Sequence, residues 1–441
     1  MSDMLGHSYT VGLYTLGCKV SLYETEAVGE EFSRRGFTVL PFDSECDVYV
    51  INTCTVTAES DAKSRKYIRR AVRRNPAAVV AVIGCYSQRS AEEVAAIPGV
   101  SIVLGTEDKL SVVDRAIALL ESGRVPSPLV SVGGLESARF EPMCVERAPR
   151  TRAYVKIEDG CECRCSYCAI ADARGPVRSK PKDDVIREVE GLSASGTKEI
   201  VLTGIETGSY GADFDFEYGL DDLLCELDRR GSAERIRLGS MAPELVGERF
   251  ISRVGGLRIL TPHFHISMQS GSDSVLRSMR RRYSATTAIA NMERIREYIP
   301  QVNFTADLMV GFPGESEEDF LATVDFVRHT QLLDAHVFAY SKRRGTPAAL
   351  FENQIAEEVK RERSTRLIAE VALVRDGVLD RIVSAKKPLS CIFESRKGGV
   401  YTAHSDGYVE VVAESDEDIR GELKMVVPIS HKNGIVYGKI C

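Results

Sequence analysis

Ile157-Glu-Asp-Gly-Cys-Glu-Cys-Arg-Cys-Ser-Tyr-Cys168 is the stretch on which the reading of this chain turns. Cys161, Cys165 and Cys168 stand in a C-x3-C-x2-C spacing. Three thiolates on one short loop can each take one iron of a [4Fe–4S] cluster and leave the fourth iron open, whereas a closed structural metal site uses four protein ligands. Two other readings share the loop: a partial zinc site, or an accident of a Cys-rich segment. Cys163 adds a further thiol and an alternative C-x-C-x-C register.

At 441 residues the chain has room for two or three domains. Charged residues make up 27% and apolar residues 44%, a balance typical of soluble globular proteins. No apolar run approaches the roughly 20 residues needed to span a bilayer, so no membrane association is expected. Residues 1–7 lack the basic flank and apolar core of a signal peptide. Twelve cysteines without an export signal suggest a reducing cytoplasm and thiolates used for metal rather than disulfides. The net charge of −7 argues against a uniformly basic nucleic-acid coat but leaves room for a local basic patch.

The amino-terminal third places three more cysteines in equivalent positions. Residues 9–15, 47–53, 79–84 and 100–104 read as strands, with helices over about 22–35, 60–74 and 91–97. β-Branched runs alternating with helices imply a parallel sheet covered on both faces, whose strand carboxyl ends share one ligand-binding edge. Cys18, Cys54 and Cys85 each lie just past a strand end, 36 and 31 residues apart, one βα unit each. A second cluster site follows from that placement. Three unrelated buried cysteines are the competing explanation.

The cysteine loop, with Tyr167 before its last cysteine, resembles that of the radical S-adenosylmethionine (SAM) enzymes. With the second triad, the chain resembles the methylthiotransferases of that superfamily over nearly its whole length. The amino-terminal matches are Thr15–Glu26, Asn52–Thr57 and Ile83–Tyr86. Later matches are Arg174–Ser179, His265–Asp273, Asp307–Glu315 and Tyr340–Pro347. The resemblance implies two [4Fe–4S] clusters, one on Cys161, Cys165 and Cys168 for radical generation, the other an auxiliary cluster on Cys18, Cys54 and Cys85. It implies SAM in two uses, as radical source and as methyl donor. An electron donor such as flavodoxin or ferredoxin and a sulfur source are the further implied partners.

From about 151 to 376 strand and helix patterns alternate, with strands expected at 154–157, 199–203, 235–238, 263–268, 303–310 and 334–340. About six βα units suit the partial (β/α)6 barrel that the resemblance implies, with chemistry on the loops after the strands. On those loops Tyr167 is expected over the SAM adenine and Thr203-Gly204 against its methionine part. Ser240 and Gln269 offer polar groups to ribose or carboxylate, and Gly311 admits a close approach to adenine. Glu206 is a candidate for the SAM amino group. Ordinary turn chemistry explains the same residue types.

Residues 380–441 read as short strands with glycine turns, suited to a small β-barrel. Its position resembles the RNA-binding TRAM domain that ends many family members, although its nine Lys/Arg balance nine Asp/Glu. A generic β-domain is the alternative. The expected class is therefore α/β: an amino-terminal parallel α/β sheet domain (8–120), a linker (121–148), the radical-SAM barrel (149–378) and the β-barrel (379–441).

A stronger basic feature is the helix near 60–74, with Lys63, Arg65, Lys66, Arg69, Arg70, Arg73 and Arg74 as candidate phosphate contacts. Arg277 with Arg280–Arg282, and Lys342–Arg344, form two more candidate patches. Three family substrates compete: isopentenyladenosine in tRNA, threonylcarbamoyladenosine in tRNA at the nucleotide following the anticodon (position 37), and an aspartate of a small-subunit ribosomal protein. Leu16–Glu26 and Leu202–Gly211 most resemble the threonylcarbamoyladenosine subtype, with Ser21 where Asn is often found. Carbon 2 of that nucleoside is the expected target. A noncatalytic metal-stabilised RNA-binding protein, or a radical-SAM enzyme of different outcome, is the alternative. Cys46, Cys144, Cys163, Cys225, Cys391 and Cys441 read as incidental thiols.

Overall fold

The computed structural model of the chain describes residues 8–123, 127–148 and 150–441. The signal-peptide reading of residues 1–7, part of the expected linker (124–126) and residue 149 at the expected barrel start lie outside the described residues. The chain forms two compact units. One comprises residues up to Glu146 with Tyr154–Pro181 and Ser341–Thr346. The other comprises Arg147–Ala153, Lys182–Tyr340 and Pro347–Cys441.

The first unit is built on β1 (Thr10–Thr15), α1 (Lys19–Arg34), β2 (Thr38–Leu40), β3 (Val48–Thr53), α2 (Ala58–Arg74) and β4 (Val79–Gly84). It continues through α3 (Cys85–Arg89), α4 (Ala91–Ala95), β5 (Val100–Leu104), α5 (Ser111–Ser122) and β6 (Leu129–Ser131). The six strands form one sheet in the order β2-β1-β3-β4-β5-β6, every neighbouring pair parallel. β3 and β4 are buried at every residue, as a strand covered on both faces must be. One cover is the cluster of Val28, Phe32, Val112, Val113 and Ala116 on Val50, Ala81 and Ile102. The other sets Ile68 and Ala71 against Tyr49, Ile51, Val80 and Val82.

Four strands are expected from the sequence here and six are found among the described residues. β2 and β6 are three-residue edge strands, too short to carry a periodic signal. The order runs out to one side through β1 and β2, then reverses to β3 and onward. That reversal is a topological switch point, where such sheets open a crevice at the strand carboxyl ends.

The second unit contains α7 (Lys182–Ala194), β10 (Glu199–Thr203), α8 (Leu220–Arg230), β11 (Arg235–Leu238) and β12 (Ser240–Met241), after β7 (Arg152–Lys156), β8 (Glu158–Asp159), α6 (Ile170–Arg174) and β9 (Arg178–Ser179) have preceded it in the chain. There follow α9 (Glu248–Val254), β13 (His263–Gln269), α10 (Asp273–Ser278), α11 (Ala285–Tyr298), β14 (Asn303–Val310), α12 (Glu317–Thr330), β15 (Asp334–Ala339) and α13 (Glu357–Ala385). β10 pairs in parallel with β11, and β12, β13, β14 and β15 pair in parallel in chain order. Only Gly239 separates β11 from β12, so the alternation of strand and helix expected for a partial barrel is present. α12 begins with a reciprocal cap, Ser316 Oγ accepting from Asp319 N–H and Asp319 accepting from Ser316 N–H.

The carboxyl-terminal strands β16 (Leu389–Lys397), β17 (Val400–Ser405), β18 (Glu410–Glu414), β19 (Leu423–Lys432) and β20 (Ile435–Ile440) close into a barrel in the order β16-β17-β18-β20-β19. Phe393, Tyr401, Val411, Val426 and Val436 fill it, and Val378 and Leu379 of α13 pack on that core. A buried ionic joint ties barrel to sheet. Arg235 and Arg237, two apart and so on one face of β11, donate to Glu199 through Nε at 2.7 and 2.9 Å. They also donate to the barrel carbonyls of Ser390 and Ser405. Burial opposes ionisation of Glu199, but Arg237, Arg235 and Arg152 hold its pKa down at about 2.

Candidate functional site

Cys18, Cys54 and Cys85 follow β1, β3 and β4, three adjacent strands. Cys18 and Cys54 flank the switch point, and Cys85 follows the end of the next strand, β4. Cys18 caps the start of α1 in extended conformation and Cys85 opens α3. The turns pack closely: a Cβ on Gly17, which has φ +125°, would stand 3.1 Å from Cys54 Cβ. Cys54 and Cys85 are buried, whereas Cys18 is exposed. Burial raises the Cys54 thiol, and neighbouring Cys18 adds to the effect. Burial pushes the Cys85 thiol up to about 11; Arg174 opposes this, while Cys18 and Cys54 reinforce it. Ser21, at the position that departs from the family pattern, sets its Oγ 3.7 Å from Cys18 Sγ.

Arg174, the last residue of α6, is fully buried beside this triad. Its Nε donates to Cys85 Sγ at 3.2 Å. Its Nη1 donates to Glu24 Oε1 at 2.6 Å and to Asp159 at 3.1 Å. Glu24, also fully buried, receives Lys156 Nζ at 2.9 Å and lies 3.2 Å from Lys109 Nζ. Asp159 lies 2.7 Å from Lys156 Nζ and 3.4 Å from Arg178. Burial opposes ionisation of Glu24 and Asp159, yet the surrounding cations, Arg174 foremost, hold both carboxyls well below the usual carboxylate range. Sequence reading assigned no role to Glu24, Asp159, Lys109 or Lys156. Arg174 and Glu24 lie inside the quoted motifs, which was the available signal.

Asp159 leads directly into the 161–168 loop. Gly160 has φ +90°, and a Cβ there would lie 1.9 Å from Pro176 O, so the chain admits only glycine. Cys161 N–H donates to Gly175 O at 3.0 Å, and Cys168 N–H to Cys165 O at 3.1 Å. Ile170 N–H points at Cys168 Sγ at 3.4 Å. Cys165 is buried, and Cys161, Cys163, Tyr167 and Cys168 are half-buried. A hydrogen bond with Cys163, then burial, raises the Cys161 thiol. Cys163 therefore stands within hydrogen-bonding reach of Cys161.

None of the twelve cysteines forms a disulfide. Among the described residues no three His, Cys, Asp or Glu side chains converge on a single metal ion. A cluster makes a different demand, because each thiolate takes its own iron and the sulfurs stand further apart. The strand-end residues supply the donor types a cluster takes. They offer three thiols on neighbouring turns of one edge, and a buried guanidinium already aimed at one of the sulfurs.

In the second unit Thr203-Gly204, Ser240, Gln269 and Gly311 lie at the strand ends or strand breaks of β10, β12, β13 and β14. Ser240 Oγ is buried without a hydrogen-bond partner among the described residues, a polar group that a bound ligand would satisfy. Gln269 is buried at φ +70°, where a non-glycine residue is strained, and the β13–β14 register shifts before it. Gly311 also has a positive φ, and a Cβ there would meet Lys360 Cγ at 2.3 Å. Glu206 already commits Oε1 to Ala242 N–H at 3.0 Å.

The seven cations of α2 separate into two groups. Arg65 pairs with Glu93 and Tyr86, Arg70 and Arg74 with Asp43, and Lys63 with Glu59. Lys66, Arg69 and Arg73 are exposed, have no ion-pair partner among the described residues, and share one helix face by their spacing. Of the other patches, Arg277, Arg280 and Arg282 are exposed, whereas Arg281 is held by Ser267 O and Tyr283. Arg343 is buried, donating to Thr55 Oγ1 at 2.6 Å and Asp61 at 2.7 Å, so Lys342 and Arg344 alone remain exposed there.

Residues 155–327 match the model of the Radical SAM superfamily, and residues 10–105 that of Uncharacterized protein family UPF0004. The chain is 40% identical to the threonylcarbamoyladenosine tRNA methylthiotransferase MtaB of Bacillus subtilis (strain 168), over 95% of this chain and 93% of that one. It is 34% identical to the tRNA-2-methylthio-N(6)-dimethylallyladenosine synthase of Methylacidiphilum infernorum, over 81% and 79%. A solved structure with the same fold is the radical S-adenosylmethionine methyltransferase TsrM from Kitasatospora setae, at TM-score 0.58 and 16% identity, covering 91% of this chain and 82% of that one. No helix among the described residues is long and apolar enough to cross a membrane.

Proposed function

Because this chain belongs to the radical-SAM methylthiotransferase family and is an enzyme that methylthiolates tRNA, we propose that its target is carbon 2 of N6-threonylcarbamoyladenosine at position 37, beside the anticodon. Two [4Fe–4S] clusters and SAM would supply the radical that opens the carbon–hydrogen bond, the sulfur and the methyl group. Cys161, Cys165 and Cys168 hold one cluster in this reading, and Cys18, Cys54 and Cys85 the other. The observation that carries the second cluster is the placement of its three cysteines on adjacent strand ends at the switch point. The substrate assignment rests on the 40% identity to the Bacillus subtilis enzyme. With the family established, the noncatalytic reading falls away.

The chain's own residues have three tasks. The cysteine thiols must deprotonate to ligate, and burial opposes that at Cys54 and Cys85. Arg174 offsets part of this cost at both thiols, its charge favouring the ionised form. Tyr167, Thr203, Gly204, Ser240, Gln269 and Gly311 are proposed to bind SAM, with Ser240 Oγ and the strained Gln269 supplying polar contacts. Lys66, Arg69 and Arg73 present three cations in a row to the tRNA phosphates, while the other four cations of α2 are engaged by Glu59, Glu93 and Asp43. A low-potential donor such as flavodoxin or ferredoxin and a sulfur source complete the requirements.

Replacing Lys66, Arg69 and Arg73 by alanine is expected to weaken tRNA binding and make its log–log salt dependence shallower by roughly two to three units. Fluorescence anisotropy over a salt series reads both. An unchanged slope removes this face from the tRNA site. The substrate is tested by offering the reconstituted enzyme, SAM and reductant equal amounts of tRNA carrying threonylcarbamoyladenosine and tRNA carrying isopentenyladenosine. Nucleoside mass spectrometry is expected to find the methylthio group on the first. Its appearance on the second instead assigns the chain to the other tRNA subtype.

A further inference from the structure

We propose that Arg174 is a positioning residue for the auxiliary cluster, donating its Nε–H to the Cys85 sulfur and thereby raising that cluster's reduction potential. This inference rests on the two-cluster reading above. Arg174 is fully buried, and its guanidinium is fixed on two sides. Nη1 engages Glu24 and Asp159, Nη2 engages Glu24, and Nε is left directed at Cys85 Sγ, 3.2 Å away. A buried fork held by two carboxylates has no alternative orientation that keeps its bonds.

The local charge balance points the same way. Glu24 and Asp159 share four cations, Lys109, Lys156, Arg174 and Arg178. Glu141, 3.7 Å from Lys109, is the third carboxylate. Among these residues the cations exceed the carboxylates by one, and Arg174 is the cation that faces the Cys85 sulfur. Hydrogen bonds to cluster sulfurs and nearby positive charge both favour the reduced, more negative state.

The same segment also touches the other cysteine loop. Gly175, the next residue, accepts the Cys161 N–H at 3.0 Å. Gly160 is pressed against the carbonyls of Gly175 and Pro176 with no room for a Cβ. Two consecutive residues thus hold an auxiliary-cluster ligand and the first ligand of the radical-SAM loop in fixed relation.

The test uses the full chain with Cys161, Cys165 and Cys168 replaced by alanine and anaerobically reconstituted, so that the auxiliary cluster is read alone. In protein labelled with 15N-arginine, the reduced cluster is expected to show a 15N hyperfine coupling by pulsed paramagnetic resonance. R174K, which keeps a cation between Glu24 and Asp159, is expected to lose that coupling and to shift the midpoint potential to a more negative value. Absence of the coupling in the labelled parent overturns the proposal whether or not R174K folds. An unchanged potential in folded R174K also overturns it. A parent that binds no iron overturns the two-cluster reading itself, a failure distinct from that of Arg174.

Discussion

Replacing Cys18, Cys54 and Cys85 together by alanine is expected to abolish methylthio transfer to tRNA while SAM cleavage continues. The two functions divide because the triads lie on different sequence elements. One follows three adjacent strands of the amino-terminal sheet, and the other occupies a single loop after β8. The substitutions remove small side chains from turns and leave the sheet core of Val50, Ala81 and Ile102 untouched. Deoxyadenosine release measures SAM cleavage, and nucleoside mass spectrometry measures transfer. The reciprocal replacement of Cys161, Cys165 and Cys168 is expected to eliminate both. Continued methylthio transfer in the first variant would remove the auxiliary triad from the reaction.

Glu24→Ala is expected to produce the largest loss of stability. Glu24 is fully buried, and Arg174, Lys156 and Lys109 converge on it. Removing it leaves Arg174 and Lys156 with Asp159 and leaves Lys109 with Glu141 as the remaining close carboxylates, and breaking a buried pair in this way costs about 3–5 kcal/mol. Urea unfolding of the metal-free chain reads the change, with the exposed Lys63–Glu59 pair as a control expected to leave the midpoint unchanged on Lys63→Ala. The pH dependence has a defined sign. Glu24 and Asp159 have folded pKa values below their ordinary 4.5 and 3.8. Their contribution is therefore present above those values and is lost as pH falls below them toward the depressed folded values. Glu24→Ala should weaken the acid-induced loss of stability below about pH 4.5.

The placement of Cys18, Cys54 and Cys85 past three strand ends was legible because buried parallel strands announce themselves as β-branched runs, and parallel topology sends all their carboxyl ends to one edge. The carboxyl-terminal barrel was legible for a related reason: its five strands are separated by turn residues. The edge strands β2 and β6 were not, since three residues carry no period. α13, a 29-residue helix, was also missed, although Leu367, Val371, Val374 and Val378 recur at helical spacing along its buried face.

The network around Arg174 was hidden for a different reason. Glu24 and Arg174 are 150 residues apart, and isolated charges in a sequence read as surface. The helix of α2 shows the converse error. Seven cations looked like one basic face, but Asp43 and Glu93, remote in sequence, neutralise part of it and leave Lys66, Arg69 and Arg73 exposed. Arg343 likewise reads as part of a basic run but is buried against Thr55 and Asp61.

The most direct test of the two-triad account is anaerobic reconstitution of the wild-type chain. Iron is counted, and the protein is then incubated with SAM, reductant and tRNA containing threonylcarbamoyladenosine. The account predicts about eight irons per chain, as two [4Fe–4S] clusters require, and a methylthio mass gain on that nucleoside. About four irons, with active SAM cleavage and the nucleoside recovered unmodified, would contradict it.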